Sequence, residues 1–427
     1  MFKKLKNILG SFLNIESTSG ILLFGLAGLA FYMANSEWNP LYHAINHFSF
    51  VFSLGTYTLK TNLHEIINEV LMAIFFFVVG MEIKRELTEG EFSTPKKAAL
   101  PLLAAIGGSV IPAAIYYFFN RDLQSELGWG IPMATDIAFA LGILSLLSRR
   151  VPFALKMFLL GLAIIDDILA VLVIALFYSG NISEMHLMFA AVIALSIFLY
   201  FDFNFNNSFV LVALSMLLWF CVYQSGIHAT LSGVVLGFLI PYRRKHTRGK
   251  VLNAIKKAFT KGQPDPSVYK IKELQSMIYH TKSTLNHFIN KYHPLSSYVI
   301  LPLFAFSNAG ISLKSINLQA WMNSPISYGI ILGLCLGKPI GITLFSFGAY
   351  FFKIAKLPKG ISWRQIIGVG FLGGIGFTMS LFITNLSFTV FSTSHHYAKL
   401  SIAVSSVFCA LLGLILLSFG KKEGKTR

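Results

Sequence analysis

Four ionisable residues lie where charge is expensive. Asp136, Asp166, Asp167 and Lys338 each sit deep in a long apolar stretch. Ionisable groups within a membrane are costly, usually pair, and mark ion pathways. Asp166 and Asp167 are neighbours in GLAIIDDILAVL, and adjacent helical residues point about 100° apart. They cannot share one partner. One carboxylate can pair with a cation while the other faces a cavity. Two close carboxylates in a low dielectric also resist ionising together. Such a group can hold a proton in one state and a hard cation in another, and carboxylate, hydroxyl and carbonyl oxygens suit a small hard cation.

The chain around them is a membrane chain. Of 427 residues, 55% are hydrophobic and 12% charged, about half the charge of an ordinary soluble domain. That excludes a disordered chain and argues against a soluble enzyme. With about 20 apolar residues per span, the sequence predicts an all-α polytopic membrane protein of about twelve helices. They run roughly over 17–35, 66–83, 98–119, 129–147, 151–178, 185–201, 208–223, 226–241, 295–313, 325–352, 364–388 and 397–419. The split between the seventh and eighth is the weakest, and eleven is the alternative. The three cysteines, Cys221, Cys335 and Cys409, stand far apart in apolar runs, without metal-binding spacing. Met1 to Glu16 carries three lysines and reads as a basic interfacial stretch, not a removable signal peptide.

The net charge of +17 would suggest nucleic acid in a soluble protein. Sorted by loop, it predicts a topology instead. Of the 35 Lys and Arg, 29 fall on one face of a twelve-helix arrangement and four on the other. Basic loops stay on the cytoplasmic side, so both termini are expected in the cytoplasm and no nucleic-acid partner is expected. Twelve of the 29 lie in 242–294, which reads as a basic cytoplasmic insertion within a single transporter domain spanning 1–427. Val268, Ile271, Leu274, Ile278, Leu285, Phe288 and Tyr292 recur there near helical spacing. One or two amphipathic helices are expected, or a basic loop lying on anionic lipid. On the other face, His47–Asn62 alternates around Leu54-Gly55-Thr56 and reads as a small β-hairpin.

Two spans look breakable. Thr135-Asp136 follows Gly130-Ile131-Pro132, and residues 368–380 hold five glycines. They are the fourth and eleventh spans, each the middle of a three-helix run, 3–5 and 10–12. The two runs enter the membrane in opposite directions, which makes an inverted repeat, and interrupted helices at corresponding places point to a transporter site. Broken helices meeting in mid-membrane bring helix-end partial charges together. Asp136 is placed to balance the positive ends and Lys338 the negative ends.

These residues resemble bacterial Na+/H+ antiporters of the NhaA type. The resemblance rests on FFFVVGMEIKREL (75–87), GIPMATDIAFALGIL (130–144), GLAIIDDILAVLVIALFYS (161–179), SGIHATLSGVVLGFLIP (225–241), LPLFAFSNAGISL (301–313), GKPIGITLF (337–345) and GGIGFTMSLFI (373–383), in order along nearly the whole chain. It implies that Asp167 is the main Na+/H+ carboxylate and Asp166 the second, paired with Lys338. Thr135 and Asp136 would belong to the helix crossing, and Asp166, Asp167 and Thr135 would hold Na+. Glu82, Arg85 and Glu86 resemble funnel residues tied to pH regulation, and His228 one that affects pH response. Glu69 matches an acidic residue early in the second helix, and residues 48–61 match a hairpin used in dimer contact. The stretch before HPL (293–295) is longer than in the family. The acidic residue and histidine expected just before it have Asn286-His287 as their nearest match.

The resemblance implies electrogenic exchange of cytoplasmic Na+ or Li+ for two external protons, in a bacterial inner membrane, by alternating access. Na+ and H+ are then transported substrates, no cofactor is expected, and the protein is not an enzyme. An intramembrane aspartyl protease also needs two membrane carboxylates. No GxGD surrounds any of the three aspartates, and a dyad would need Asp136. A Na+-coupled symporter for an organic solute is the other alternative.

Overall fold

A computed structural model describes residues 2–54, 57–90, 92, 95–147, 151–180, 182–203, 205, 207–242, 283–358, 360–390 and 392–419. The architecture is helical apart from one hairpin. Helix α1 (Phe2–Asn35) leads through the short α2 (Asn39–Asn46) to strands β1 (Ser49–Leu54) and β2 (Tyr57–Asn62), paired antiparallel from Ser49↔Asn62 to Leu54↔Tyr57. The alternating apolar pattern thus forms the expected hairpin. Its last residue, Asn62, caps α3 (Leu63–Thr88) through a capping box: the Asn62 side chain accepts from Glu65 N, and the Glu65 carboxylate accepts from Asn62 N.

Helix α4 (Pro95–Asn120) is followed by a 3-10 segment (Glu126–Met133), an extended stretch at 134–136 and α5 (Ile137–Leu146). Then come α6 (Phe153–Phe177), α7 (Glu184–Asp202), α8 (Ser208–Gln224) and α9 (Thr230–Leu239). Helix α10 occupies 284–308, α11 is Leu318–Met322 and α12 is Pro325–Phe351. Helices α13 (Trp363–Gly373) and α14 (Phe377–Ser387) meet at a 44° bend, and α15 (Thr393–Ser418) follows.

Among the described residues, eight helices are long and apolar enough to cross a membrane, nine with the bent pair. The expected spans 208–223 and 226–241 are the shorter apolar helices α8 and α9. The expected span at 295–313 differs in its limits. Its helix starts at Thr284, where the Ser283 hydroxyl accepts from Asn286 N, and ends at Asn308. Most of the 242–294 insertion, with the amphipathic pattern up to Ile278, lies outside the described residues. Arg149 and Arg150 do too.

Both anticipated breaks are present, the first of them beside Thr135 and Asp136. Pro132 stays inside the 3-10 segment, and the chain opens just after Met133. The tighter 3-10 turn accommodates the proline, and Asp136 supplies the new N-cap. The second break falls at Gly374–Gly376. Among the described residues, three helices carry a π turn: Ile66–Leu71 in α3, Ser296–Ile300 in α10 and Gly333–Gly337 in α12.

Close helix contacts rest on glycine. A Cβ on Gly107 of α4 would strike the Gly341 carbonyl of α12, and a Cβ on Gly341 would strike the Gly107 carbonyl. This reciprocal contact joins the first helices of the two three-helix runs and places Lys338, one turn before Gly341, in the interior. Gly233 and Gly237 of α9 lie as tightly on Ala73 and Phe77 of α3. Forcing extra carbons into such contacts costs about 1–3 kcal/mol or more. Gly107→Val is therefore expected to lower the thermal midpoint of detergent-purified protein by several degrees. Gly348→Val, where a Cβ meets nothing within 4 Å, is expected to leave it unchanged. Thermal unfolding of the two variants side by side checks this.

Candidate functional site

The two interrupted helices cross and satisfy one another. Asp136 caps α5, its Oδ1 accepting from Phe139 N at 3.1 Å. Its Oδ2 accepts from the backbone N–H and hydroxyl of Thr378 at 3.0 and 2.5 Å, at the start of α14. One carboxylate therefore sits at two helix N-termini, where partial positive charge converges. The crossing is closed by Asp136 N donating to the Ile375 carbonyl at 2.7 Å and by the Ser380 hydroxyl donating to the Ile131 carbonyl at 2.7 Å. At the opposite ends, Lys338 Nζ donates to the Met133 carbonyl, and the Thr135 hydroxyl faces the Gly373 carbonyl at 2.9 Å. The structure thus puts Asp136 against the two helix N-termini and Lys338 against a helix-end carbonyl.

Asp166 and Asp167 project from the middle of α6 and meet different surroundings. Lys338 Nζ lies 3.0 Å from Asp166 Oδ2, with both side chains inaccessible to solvent. Asp166 Oδ2 also faces the Thr135 hydroxyl at 2.6 Å, and Oδ1 faces the Ser109 hydroxyl at 3.5 Å. Thr135 has one hydroxyl proton, so it serves Asp166 or Gly373, not both at once. Asp167 accepts no hydrogen bond among the described residues. It lines a cavity with Thr135, Asp136, Glu82, His293 and Thr378. The cavity offers about 40 Å³ to the centres of water-sized spheres, room for a few waters at roughly 10–15 Å³ each. A desolvated cation could sit there with carboxylate and hydroxyl oxygens around it.

The cavity extends along α3 and α10 to Glu82 and His293, whose Oε1 and Nε2 stand 3.6 Å apart. Arg85 and Glu86 follow on α3, paired at 3.2 Å. Lys84 reaches across to the Phe238 and Ile240 carbonyls, both at 2.6 Å. Tyr242 and Asn286, on either side of the stretch outside the described residues, both donate to Glu89 at this end. His228 is not brought here. Helices α3 and α9 run parallel, with Gly233 on Ala73 and Gly237 on Phe77 and Met81. His228 precedes Gly233 and so lies beyond the Ala73 end, its Nε2 donating to the Tyr178 carbonyl at 2.6 Å. Glu69 lies towards that end too, inside the π turn of α3.

Sequence reasoning missed His293, Thr378 and Ser109. His293 stands beside Glu82, whereas Asn286 donates to Glu89 at 3.1 Å, near the start of α10. The signal for Thr378 was its place just after the glycine break, where an N-terminus needs an acceptor. No local signal marked Ser109. No cluster of three or more His, Cys, Asp or Glu suited to a resident metal occurs among the described residues.

The sequence matches the Na+/H+ antiporter 1 family over residues 10–417. It is 45% identical to the Na(+)/H(+) antiporter NhaA of Helicobacter acinonychis (strain Sheeba), with 97% of each chain covered. It is 44% identical to the protein of the same name from Helicobacter pylori (strain P12), again with 97% of each covered. The NhaA of Proteus mirabilis (strain HI4320) is 44% identical, with 96% of each covered.

Breaking a buried ion pair by removing one partner costs about 3–5 kcal/mol, because the other charge is left uncompensated. Lys338→Met is therefore expected to destabilise the purified protein strongly. Lys338→Met combined with Asp166→Asn should recover much of the loss. Thermal midpoints of the two variants in detergent read this, and a double variant no more stable than the single would refute the pairing.

Proposed function

The chain belongs to the Na+/H+ antiporter 1 family, and from that premise we propose that it is a multi-pass inner-membrane antiporter exchanging Na+ or Li+ for H+ by alternating access. One observation carries the site assignment. Lys338 neutralises one of two adjacent carboxylates, and the other faces a cavity with a threonine hydroxyl. Asp167 then holds either a proton or the cation, with Thr135 as a neutral oxygen ligand. Asp166 joins it when Lys338 lets go of the Asp166 carboxylate and keeps only the Met133 carbonyl. Binding the cation releases protons, and binding protons releases the cation, so the two substrates compete for one place. Asp136 stays on its helix ends and keeps the crossing together.

The Glu82–His293 mouth is read as the cytoplasmic one, since Lys84 and Arg85 stand at that end, the residues flanking the basic stretch, Tyr242 and Asn286, bond Glu89 there, and basic segments stay inside. Glu82, Arg85, Glu86 and His293 would sense pH there, and His228 would act at the other end of α9. Both termini would be cytoplasmic, and the hairpin at 48–61 would serve a homodimer. The Asp136 carboxylate is already engaged by Thr378 and Phe139, which disfavours a protease dyad built on it.

In proteoliposomes, Na+ or Li+ added to one side should drive proton movement to match, with no organic solute present. Asp167→Asn is expected to reduce this to the level of empty liposomes, and retained exchange would sink the assignment. If two protons exchange for one Na+, one net charge crosses per cycle, worth about 2.3 kcal/mol per 100 mV. Clamping the membrane potential with potassium and valinomycin should then speed or slow exchange according to its sign. A rate indifferent to potential would mean electroneutral exchange.

A further inference from the structure

Three of the helices that line the cavity, α3, α10 and α14, meet again at their other ends in a second polar cluster. Asn385 of α14 donates from Nδ2 to Asn308 Oδ1 of α10 at 2.7 Å and to Asn68 Oδ1 of α3 at 3.1 Å. Asn308 Nδ2 donates to the same Asn68 oxygen at 3.2 Å. This closes a triangle of amides across three helices. His395 of α15 adds a fourth, its Nε2 at 2.9 Å from Asn385 Oδ1. Both Asn385 amide protons are already committed, so the oxygen accepts and His395 Nε2 carries the proton. His64 extends the cluster through the Ser307 hydroxyl, which donates in turn to Asn46 of α2. Lys399, one turn past His395, is buried alongside and makes no hydrogen bond or ion pair among the described residues.

The placement sets this cluster apart from ordinary interhelical bonding. Asn68 lies roughly 20 Å along α3 from Glu82, and Asn308 as far along α10 from His293, at 1.5 Å per residue. Asn385 is about 10 Å along α14 from Thr378. The cavity lining stops at Phe75, Leu301 and Met379 on these helices. At that limit stands an aromatic cluster, Phe76, Phe304 and Phe382, one from each helix and all 2% exposed or less, with Phe76 beside Phe75 and with Phe304 and Phe382 about one turn beyond Leu301 and Met379. The Phe382 ring stands 5.5 Å from that of Phe76 and 6.2 Å from that of Phe304. Beyond it lie the three asparagines. An apolar layer that water cannot wet is backed by a polar layer that bonds only when the three helices are together. Amides do not relay protons, so the triangle seals a path rather than conducting along it.

We propose that the Asn68–Asn308–Asn385 triangle, latched by His395, is the gate that closes the ion site at the end away from the Glu82–His293 mouth and must part for Asp167 to exchange with that side. This rests on the antiport reading above. It explains why polar and cationic groups occupy a helix interface where small apolar residues would pack at less cost.

The test is one-sided cysteine accessibility in the full-length protein, in membrane vesicles of both orientations. Asn385→Cys and Asn308→Cys are each exposed to a membrane-impermeant maleimide, and Glu82→Cys reports the opposite mouth. Wild-type protein controls for the buried Cys221, Cys335 and Cys409. The gate variants are expected to react only from the face opposite to that which labels Glu82→Cys. Labelling should be several-fold faster during Na+/H+ turnover than at rest, and fully labelled protein should lose exchange. Labelling from the Glu82 face, no acceleration by turnover, or full exchange after complete labelling would each overturn the gate. If one variant fails to insert, the other decides. Loss of exchange in the unlabelled wild type would instead count against antiport itself.

Discussion

A helix that stops inside a membrane leaves N–H and C=O groups that lipid cannot satisfy. The rest of the site depends on how this chain meets that demand. Its two interrupted helices cross, and each supplies what the other lacks. Asp136 serves the N-termini of α5 and α14 together, and Thr378 returns two hydrogen bonds to it. The carbonyl ends are met by Lys338 at Met133 and by Thr135 at Gly373. One carboxylate and one ammonium are thus required by the backbone before any ion arrives. The ammonium that caps Met133 also lies 3.0 Å from Asp166, so the structural cation and the proposed ion site are one assembly.

Adjacency does the rest. Two carboxylates in consecutive positions of α6 cannot both reach one ammonium, because the helix turns them apart. Lys338 neutralises Asp166 and leaves Asp167 to the cavity. A site with both paired would hold no exchangeable charge. A site with neither paired would bury two like charges in a low dielectric. Thr135 adds a link between the halves. Its single proton goes either to Asp166 or to the Gly373 carbonyl, so the charge on Asp166 is felt at the end of α13.

Much of this was legible in the sequence, and the reasons are local. The divergence of Asp166 and Asp167 follows from helix geometry alone. The glycine cluster at 368–380 announced a break, and the alternation around Leu54-Gly55-Thr56 announced the hairpin. Pro132 likewise announced the break beside Thr135 and Asp136, although a 3-10 turn absorbs the proline itself and the stop comes at Met133. Partners distant in sequence were not legible. His293 reaches Glu82 only because α10 begins at Thr284, inside what read as a loop. Asn68, Asn308 and Asn385 are single polar residues in three separate spans, and nothing local says that they meet.

The helices also differ in how freely they can rearrange. Helices α4 and α12 touch backbone to backbone at Gly107 and Gly341, a contact with little room to slide. The π turns lie elsewhere. Such turns release one regular backbone bond and recur at functional sites. The one in α3 contains Asn68, the one in α10 contains the cavity-lining Ser296 and Ser297, and the one in α12 ends against Lys338. Each therefore adjoins a group that must change partner if the cavity is to close at Glu82 and open at the asparagines. A regular helix would have to break a backbone bond to turn those side chains, whereas a π turn has already given one up. The rigid contact holds the crossing in register while the irregular turns place their freedom beside the lysine, the cavity and the triangle.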